Sequence, residues 1–331
     1  MSLRAQYPVA WRRGRDFDIR AKWFTAIYDE IRKRIPTRLI KFPYVPSSAI
    51  HALNRWQLRL MERPDRVTHI ISNMHSFLLR PHARCPTVIS CYDLGPRWTA
   101  ERMPFADRIL ASSFDVKREL ESLVRLQREP EVVYLAVPPV YRPADLPRVP
   151  DRILFVGTEQ KRKNVEGLFR ILARVVKDRP ATLVKVGQRS GNRARLLALA
   201  RELGIDRHVV WRDFVPEEEL VGLYQTSTVA VVPSFLEGFS MPCLEAMSTG
   251  CPLVASNVSS IPEVVGDGGL LLDPRDEAAW ADGILRIFQD PRFATELSRR
   301  AQERSKAFSA ERSAAQVMRV YEEVWAERGG A

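Results

Sequence analysis

Apolar positions along the chain follow two different rules. After residue 150, short apolar runs at 153–156, 182–186, 209–211, 229–232 and 252–255 are each closed by Gly, Pro or polar residues. Between them lie stretches of helical period at 165–176, 192–203, 217–224, 240–249 and 277–288. Runs this short and continuous read as strands buried on both faces. Their alternation with helices about every 25 residues predicts a parallel, doubly wound α/β sheet. Pro262 starts a helical turn, 266–272 forms a turn and strand, and helices at 293–308 and 310–325 close the chain. The first half is less legible. Strands are expected at 67–72, 87–91, 106–112 and 132–137, with a helix at 113–123 that Ser113 caps. The 17–35 stretch has mixed helical spacing at Ile19, Trp23, Ile27 and Ile31, which predicts either a core stripe or an amphipathic surface helix. A helix at 47–61 places Ile50, Leu53, Trp56, Leu58 and Met61 at its apolar positions. Arg12, Arg13, Gly14 and Arg15 read as an exposed loop, and the Pro-rich run 138–150 as a linker.

The stretch PSFLEGFSMPCLEAMSTGCPLVAS, 233–256, concentrates the candidate chemistry. A turn carrying Glu237 and Gly238 follows the strand at 229–232. The next helix begins near Ser240 to Pro242, where proline is tolerated because the first helical amides have no intrahelical partner. Those amides point back at the turn and suit an anion. Glu245 follows Glu237 about two helical turns further on. A carboxylate in the turn with an anion site beside it fits a sugar joined to a diphosphate, and the second carboxylate fits ribose hydroxyls. The plainer alternative is a solvated loop acid and an acid on a helix face. Lys161, Arg162 and Lys163 lie between a strand and a helix and, taken alone, read as a solvated charge run.

The string EGFSMPCLEAMSTGCPLVAS, followed by IPEVVGDGGLLLDP at 261–274, resembles the retaining glycosyltransferases of family 4, with their motif E-x7-E. VGTEQKRKN, 156–164, is similar to that family's VGTLEPRKN. The resemblance implies a GT-B fold: two Rossmann-like parallel-sheet domains facing a central cleft. It implies that Glu237 lies beside the donor sugar, that Gly238, Phe239 and Ser240 hold its hydroxyls with Met241 also on the donor, and that Glu245 binds the ribose. Lys163 and Arg162 then grip the donor diphosphate, beside Gly157 and Thr158, and Val215 meets the base through its backbone. Front-face attack with retention is implied, the departing diphosphate taking the acceptor's proton. The resemblance is weak before residue 145. The family's first domain opens on a strand and a Gly-rich turn, which the opening here does not show, so this domain is expected to be shortened or atypical. The family's His-Asp-Leu segment reads Tyr92, Asp93, Leu94. Tyr92 replaces the His, whose role is therefore not carried over; Asp93 matches, and His75, at a strand end, is the alternative imidazole on the acceptor side.

A length of 331 residues favours two domains. We expect an acceptor-side domain at 1–145, a nucleotide-sugar domain at 151–308, and a final helix, 309–331, that crosses back to the first. The net charge is +11, and residues 1–60 carry 13 Lys or Arg against 4 Asp or Glu. A basic first half implies an acidic partner: a lipid-linked diphosphate acceptor, an anionic membrane surface touched peripherally, or nucleic acid. No nucleic-acid motif accompanies the charge, so nucleic acid is not expected. The cysteines, Cys85, Cys91, Cys243 and Cys251, form no C-x-x-C pair and read as reduced, buried thiols of a cytoplasmic protein. No metal-ligand spacing appears among the five His, so neither metal nor cofactor is expected. No apolar run approaches a membrane span of roughly 20 residues.

The expected function is transfer of a sugar from a UDP- or GDP-sugar to a glycan or lipid-linked acceptor, in polysaccharide or glycolipid biosynthesis. Two alternatives stay open: a GT-B sugar-nucleotide epimerase, and a catalytically weak sugar-nucleotide-binding protein. A dinucleotide oxidoreductase would need G-x-G-x-x-G after a strand, which is missing.

Overall fold

A computed structural model describes residues 3–12, 15–16, 21–43, 48–93, 95 and 97–328. Arg13, Gly14, Phe17, Ile19, Ser47 and Leu94, which entered the sequence expectations, lie outside them. The chain divides into two compact units, one of residues 1–138 with 308–331 and one of residues 139–307.

The first unit holds β1 (Ala5–Arg12), β2 (Arg15–Asp16), α1 (Ala21–Arg32), β3 (Thr37–Pro43), α2 (Ser48–Met61), β4 (Val67–Ile70), β5 (Thr87–Cys91), α3 (Trp98–Glu101), β6 (Arg108–Ala111), α4 (Phe114–Leu123) and β7 (Glu131–Val132). Its sheet runs β2-β1-β4-β5-β6-β7, with β3 also on β1. All these pairings are parallel except β1 with β2. So the opening residues do form a strand, β1, hidden in the sequence by Pro8. β3 pairs β1 from Ala5 to Trp11, whereas β4 takes only Ala5 and Gln6 and β2 only Trp11 and Arg12. Pro8 falls between those two short pairings, where its missing N–H costs least. The expected strand at 132–137 shortens to β7, because Val133, Leu135 and Ala136 are buried as irregular chain running into Pro138. Ser113 does cap α4, its hydroxyl accepting from the Val116 N–H at 3.1 Å.

On one face of this sheet, Phe24, Ile27 and Ile31 of α1 share a core with Val317, Val320, Tyr321 and Val324, which the last helix supplies. Ile27 and Ile31 of the expected stripe are therefore core, the commoner fate of such a pattern. On the other face Leu58 packs with Ile40, Ile70 and Phe77. The apolar positions expected for α2 are corrected here: Leu53, Trp56 and Met61 are exposed, and Leu58 is the one of them shown buried.

The second unit contains β8 (Val149–Val156), α5 (Val165–Asp178), β9 (Thr182–Val186), α6 (Arg193–Glu202), β10 (Val209–Arg212), α7 (Glu217–Thr226), β11 (Ser227–Val232), α8 (Met241–Ser248), β12 (Leu253–Ser256), α9 (Ile261–Val265), β13 (Leu270–Leu272), α10 (Glu277–Gln289) and α11 (Pro291–Ser305). The helix α12 (Ala310–Glu327) then belongs to the first unit. The sheet order is β10-β9-β8-β11-β12-β13, parallel throughout. Each unit is thus a parallel-sheet α/β domain, and the pair makes a GT-B fold. Among the described residues no helix is long and apolar enough to cross a membrane.

Candidate active site

In the second unit β8 and β11 are neighbours, so their C-terminal turns open at the same edge of the sheet, where open α/β sheets place ligands. After β8 the chain passes Gly157 and Thr158 and makes a 3-10 turn, Lys161–Lys163. Asn164 then takes a left-handed conformation, φ 53°, and its side chain caps α5 by accepting from the Gly167 N–H at 3.2 Å. This reversal turns Lys163 inward, leaving it 8 % exposed. After β11 the turn delivers Glu237, 5 % exposed.

The two turns are tied together. The Phe235 N–H donates to the Arg162 carbonyl at 2.7 Å. Lys163 Nζ donates to Glu237 Oε1 at 2.6 Å, and Arg162 Nη1 to Oε2 at 3.3 Å. Ser234 Oγ adds a 2.7 Å bond to Oε1. The Glu237 backbone is held as well: its N–H donates to Ser259 Oγ at 3.0 Å, and its carbonyl accepts from Ser260 Oγ at 2.8 Å. A carboxylate so constrained keeps its position without a ligand, which is what preorganisation requires.

The start of α8 is narrower than its sequence implies. Ser240 has φ 76°, Pro242 has no N–H, and the Cys243 N–H donates to the Ser240 carbonyl at 3.1 Å. That leaves the Met241 N–H as a first-turn donor that no helix carbonyl reaches. Glu245, two turns on, is 4 % exposed and accepts from Tyr224 Oη at 2.9 Å. The buried Cys243 thiol accepts from Ser240 Oγ at 3.1 Å. Burial pushes its pKa up to about 12, and Glu237, Lys163 and Glu245 all act on it electrostatically. Lys163 and Glu237 are thus paired, with Arg162 on the second carboxylate oxygen, and Glu245 is buried on the helix that follows.

Gly157 and Thr158 lie at the mouth of β8. The Thr158 hydroxyl is buried with no hydrogen-bond partner among the described residues. Val215 is buried in the loop beyond β10. Gly187, at the end of β9 with φ 134°, is confined to glycine: a Cβ there would collide with the Gly157 carbonyl. In the first unit, His75 is buried in the 3-10 turn Asn73–Leu78, edge-on to Phe77. The Asp93 carbonyl nearby accepts from Asn73 Nδ2 at 2.5 Å. Among the described residues no three His, Cys, Asp or Glu gather as a metal site.

Sequence reasoning missed a charged cluster beside this site. The Glu159 carboxylate is fully buried and accepts from Arg193 Nε at 2.6 Å, Ser190 N–H at 3.0 Å and Lys185 Nζ at 3.2 Å. The signal was Lys185, a lone cation inside the apolar strand TLVKV. Burial alone would raise the Glu159 carboxyl, but the Ser190 amide, Arg193 and Lys185 outweigh it and hold the pKa below the ordinary value. The stability that Glu159 contributes is therefore full above the ordinary carboxylate range and is lost as pH falls through the lowered native value. Glu159→Gln leaves two buried cations under-compensated. It is expected to cost about 3 kcal/mol, read from urea unfolding at neutral pH, and to flatten the acid limb of the stability curve. An unchanged urea midpoint would show that Lys185 and Arg193 find other partners.

Residues 143–306 match the family model described as glycosyl transferases group 1. Among curated relatives, the O-antigen chain mannosyltransferase B of Escherichia coli is 37% identical over 171 residues, covering 51% of this chain and 45% of the relative. The D-inositol 3-phosphate glycosyltransferase of Acidothermus cellulolyticus is 33% identical over 254 residues, 69% of this chain and 56% of the relative. The chain thus spans about half the length of the curated relatives it matches. Among solved structures, a sucrose-phosphate synthase from Thermosynechococcus elongatus superposes with a TM-score of 0.80 at 19% identity, covering 98% of this chain and 100% of that one. Anabaena HepE in complex with UDP and glucose gives 0.78 at 16%, covering 96% and 100%.

Proposed function

We propose that this chain, which belongs to the glycosyl transferases group 1 through residues 143–306, moves a sugar from a UDP- or GDP-sugar to a glycan or lipid-linked acceptor, retaining the anomeric configuration. The observation that carries this reading is the buried 2.6 Å pair of Lys163 and Glu237. It joins a cation suited to a leaving diphosphate to an acid suited to a sugar, at one strand edge.

In this mechanism the bond from the anomeric carbon to the diphosphate oxygen breaks as the acceptor oxygen bonds to the same face of that carbon. The acceptor's proton passes to the departing diphosphate oxygen. Negative charge grows on the diphosphate and positive charge on the ring. Lys163 and Arg162 meet the first, with the Met241 amide, and Glu237 faces the second. Gly238, Phe239 and Ser240 hold sugar hydroxyls, and Gly157 and Thr158 border the diphosphate. Glu245, steadied by Tyr224, takes the ribose, and Val215 meets the base through its backbone. His75 and Asp93 are the acceptor-side candidates. The nucleotide-sugar is a substrate, and the reaction as written uses no cofactor or metal.

The mannosyltransferase relative and the UDP- and glucose-bound neighbour support a nucleotide-hexose donor. The basic first 60 residues support an anionic or lipid-linked acceptor, and the buried free thiols fit a cytoplasmic enzyme. A thermal-shift screen of UDP-, GDP- and ADP-sugars tests the reading. A donor at a hundredfold excess over its Kd adds about 2.7 kcal/mol. For a chain of this size that raises Tm by roughly 5 °C. No shift with any sugar nucleotide would reject the site, and an altered sugar formed from donor alone would replace transferase with epimerase.

A further inference from the structure

The helix α2 is inside out. Its inward side carries His51, Asn54, Arg55 and Leu58. His51 stacks on Phe77 with ring centroids 4.0 Å apart, and Arg55 Nη1 donates to the Phe77 carbonyl at 3.2 Å. Asn54 is 1 % exposed and Leu58 4 %. Its outward side carries Leu53, Trp56 and Leu60, which are 47 %, 58 % and 65 % exposed. Spacings of three and four put those three side chains on one stripe. Met61, at the end of the helix, is also exposed. A surface helix normally buries its apolar face, so an exposed apolar stripe over a polar inner face marks a surface kept for something else.

The charge beside the stripe identifies its occupant. Arg59 lies one turn beyond Trp56, and Arg63 follows the helix, both exposed. Arg38 Nη1 donates to the Met61 carbonyl at 3.3 Å, placing a third guanidinium at the helix end. Residues 1–60 carry 13 cations against 4 anions, so a second copy of this chain would meet the stripe with like charge. Leu and Trp flanked by Arg is the pattern of a helix lying in a membrane interface, rings and aliphatic chains among the acyl groups and guanidinium groups at the phosphates.

We infer that α2 docks the protein on an anionic bilayer, inserting Leu53, Trp56 and Leu60 while Arg38, Arg59 and Arg63 pair with lipid headgroups. The inference stands apart from the transferase reading, because none of these residues belongs to the second unit.

Co-sedimentation of the full chain tests it, with vesicles of phosphatidylcholine alone or containing about 30 % phosphatidylglycerol. The wild-type chain is expected to pellet with the anionic vesicles and only weakly with the neutral ones. Trp56→Ser with Leu60→Ser should lower partitioning by about tenfold or more. Arg59→Gln with Arg63→Gln should lower it on anionic vesicles only, by roughly tenfold. The altered side chains are exposed, so both variants should keep the wild-type melting temperature. Three results overturn the proposal: no wild-type binding to anionic vesicles; equal binding by the Ser variant, which would leave surface charge as the whole attraction; or a wild-type dimer in gel filtration that the Ser variant converts to a monomer, which would make the stripe a self-association face.

Discussion

Lys163→Ala is expected to lower kcat for sugar transfer by roughly 10²–10³-fold, the usual loss when one preorganised donor to a developing anion is removed. The ammonium is nearly sealed from water and fixed at 2.6 Å from Glu237, so its charge acts at low screening. A diphosphate entering beside it would share that cation with the acid. Arg162 is the partial substitute, since it also reaches Glu237, but its side chain is 37% exposed and its field is better screened. Losing Lys163 leaves Glu237 bonded to Ser234 and Arg162, so the fold should survive, and urea unfolding run beside the kinetics checks that. A variant with near wild-type kcat and an unchanged urea midpoint would remove Lys163 from the chemistry.

Glu237→Gln should reduce kcat by about 10²-fold with only a small change in donor KM. Glutamine keeps the length of the side chain and can still accept from Lys163 and Ser234, so the geometry of the turn is retained. What disappears is the negative charge facing the sugar ring as it becomes cationic. Steady-state kinetics with varied donor separate the two possible roles. A fall confined to kcat marks stabilisation of the transition state, and a rise confined to KM marks a residue that merely holds the sugar. Unchanged kcat and KM would exclude Glu237 from both roles and, with the same result at Lys163, dismiss the proposed site.

The legibility of the chain follows from the kind of order each part uses. In the second unit, strands such as 182–186 and 229–232 are buried on both faces, so their sequence is a continuous apolar run that announces itself. The turns after β8 and β11 each carry a continuous string, and Lys163 and Glu237 were picked out by the resemblance of those strings to family 4. In the first unit, β1 contains a proline, and α2 turns its apolar side outward. Both break the local pattern that sequence reasoning depends on. The Glu159 cluster was hidden for another reason. Its members, Glu159, Lys185, Ser190 and Arg193, come from consecutive turns and strands, and each looks like an ordinary polar residue until the sheet brings them together.

By itself the sequence determined the alternation of strand and helix, the two-domain α/β architecture, and the identity of the candidate acids and cations. These are local properties: hydrophobic period, turn residues and motif spacing act over one or two elements of chain. Tertiary structure alone decided that Lys163 and Glu237, 74 residues apart in sequence, meet at 2.6 Å. It also decided that Tyr224 holds Glu245, which side chains of the returning α12 enter the core of the first unit, and that α2 shows its apolar stripe to solvent. Such pairings are set by which strands lie side by side and which face of a helix finds a neighbour. Long-range packing settles both, and no window of sequence contains it.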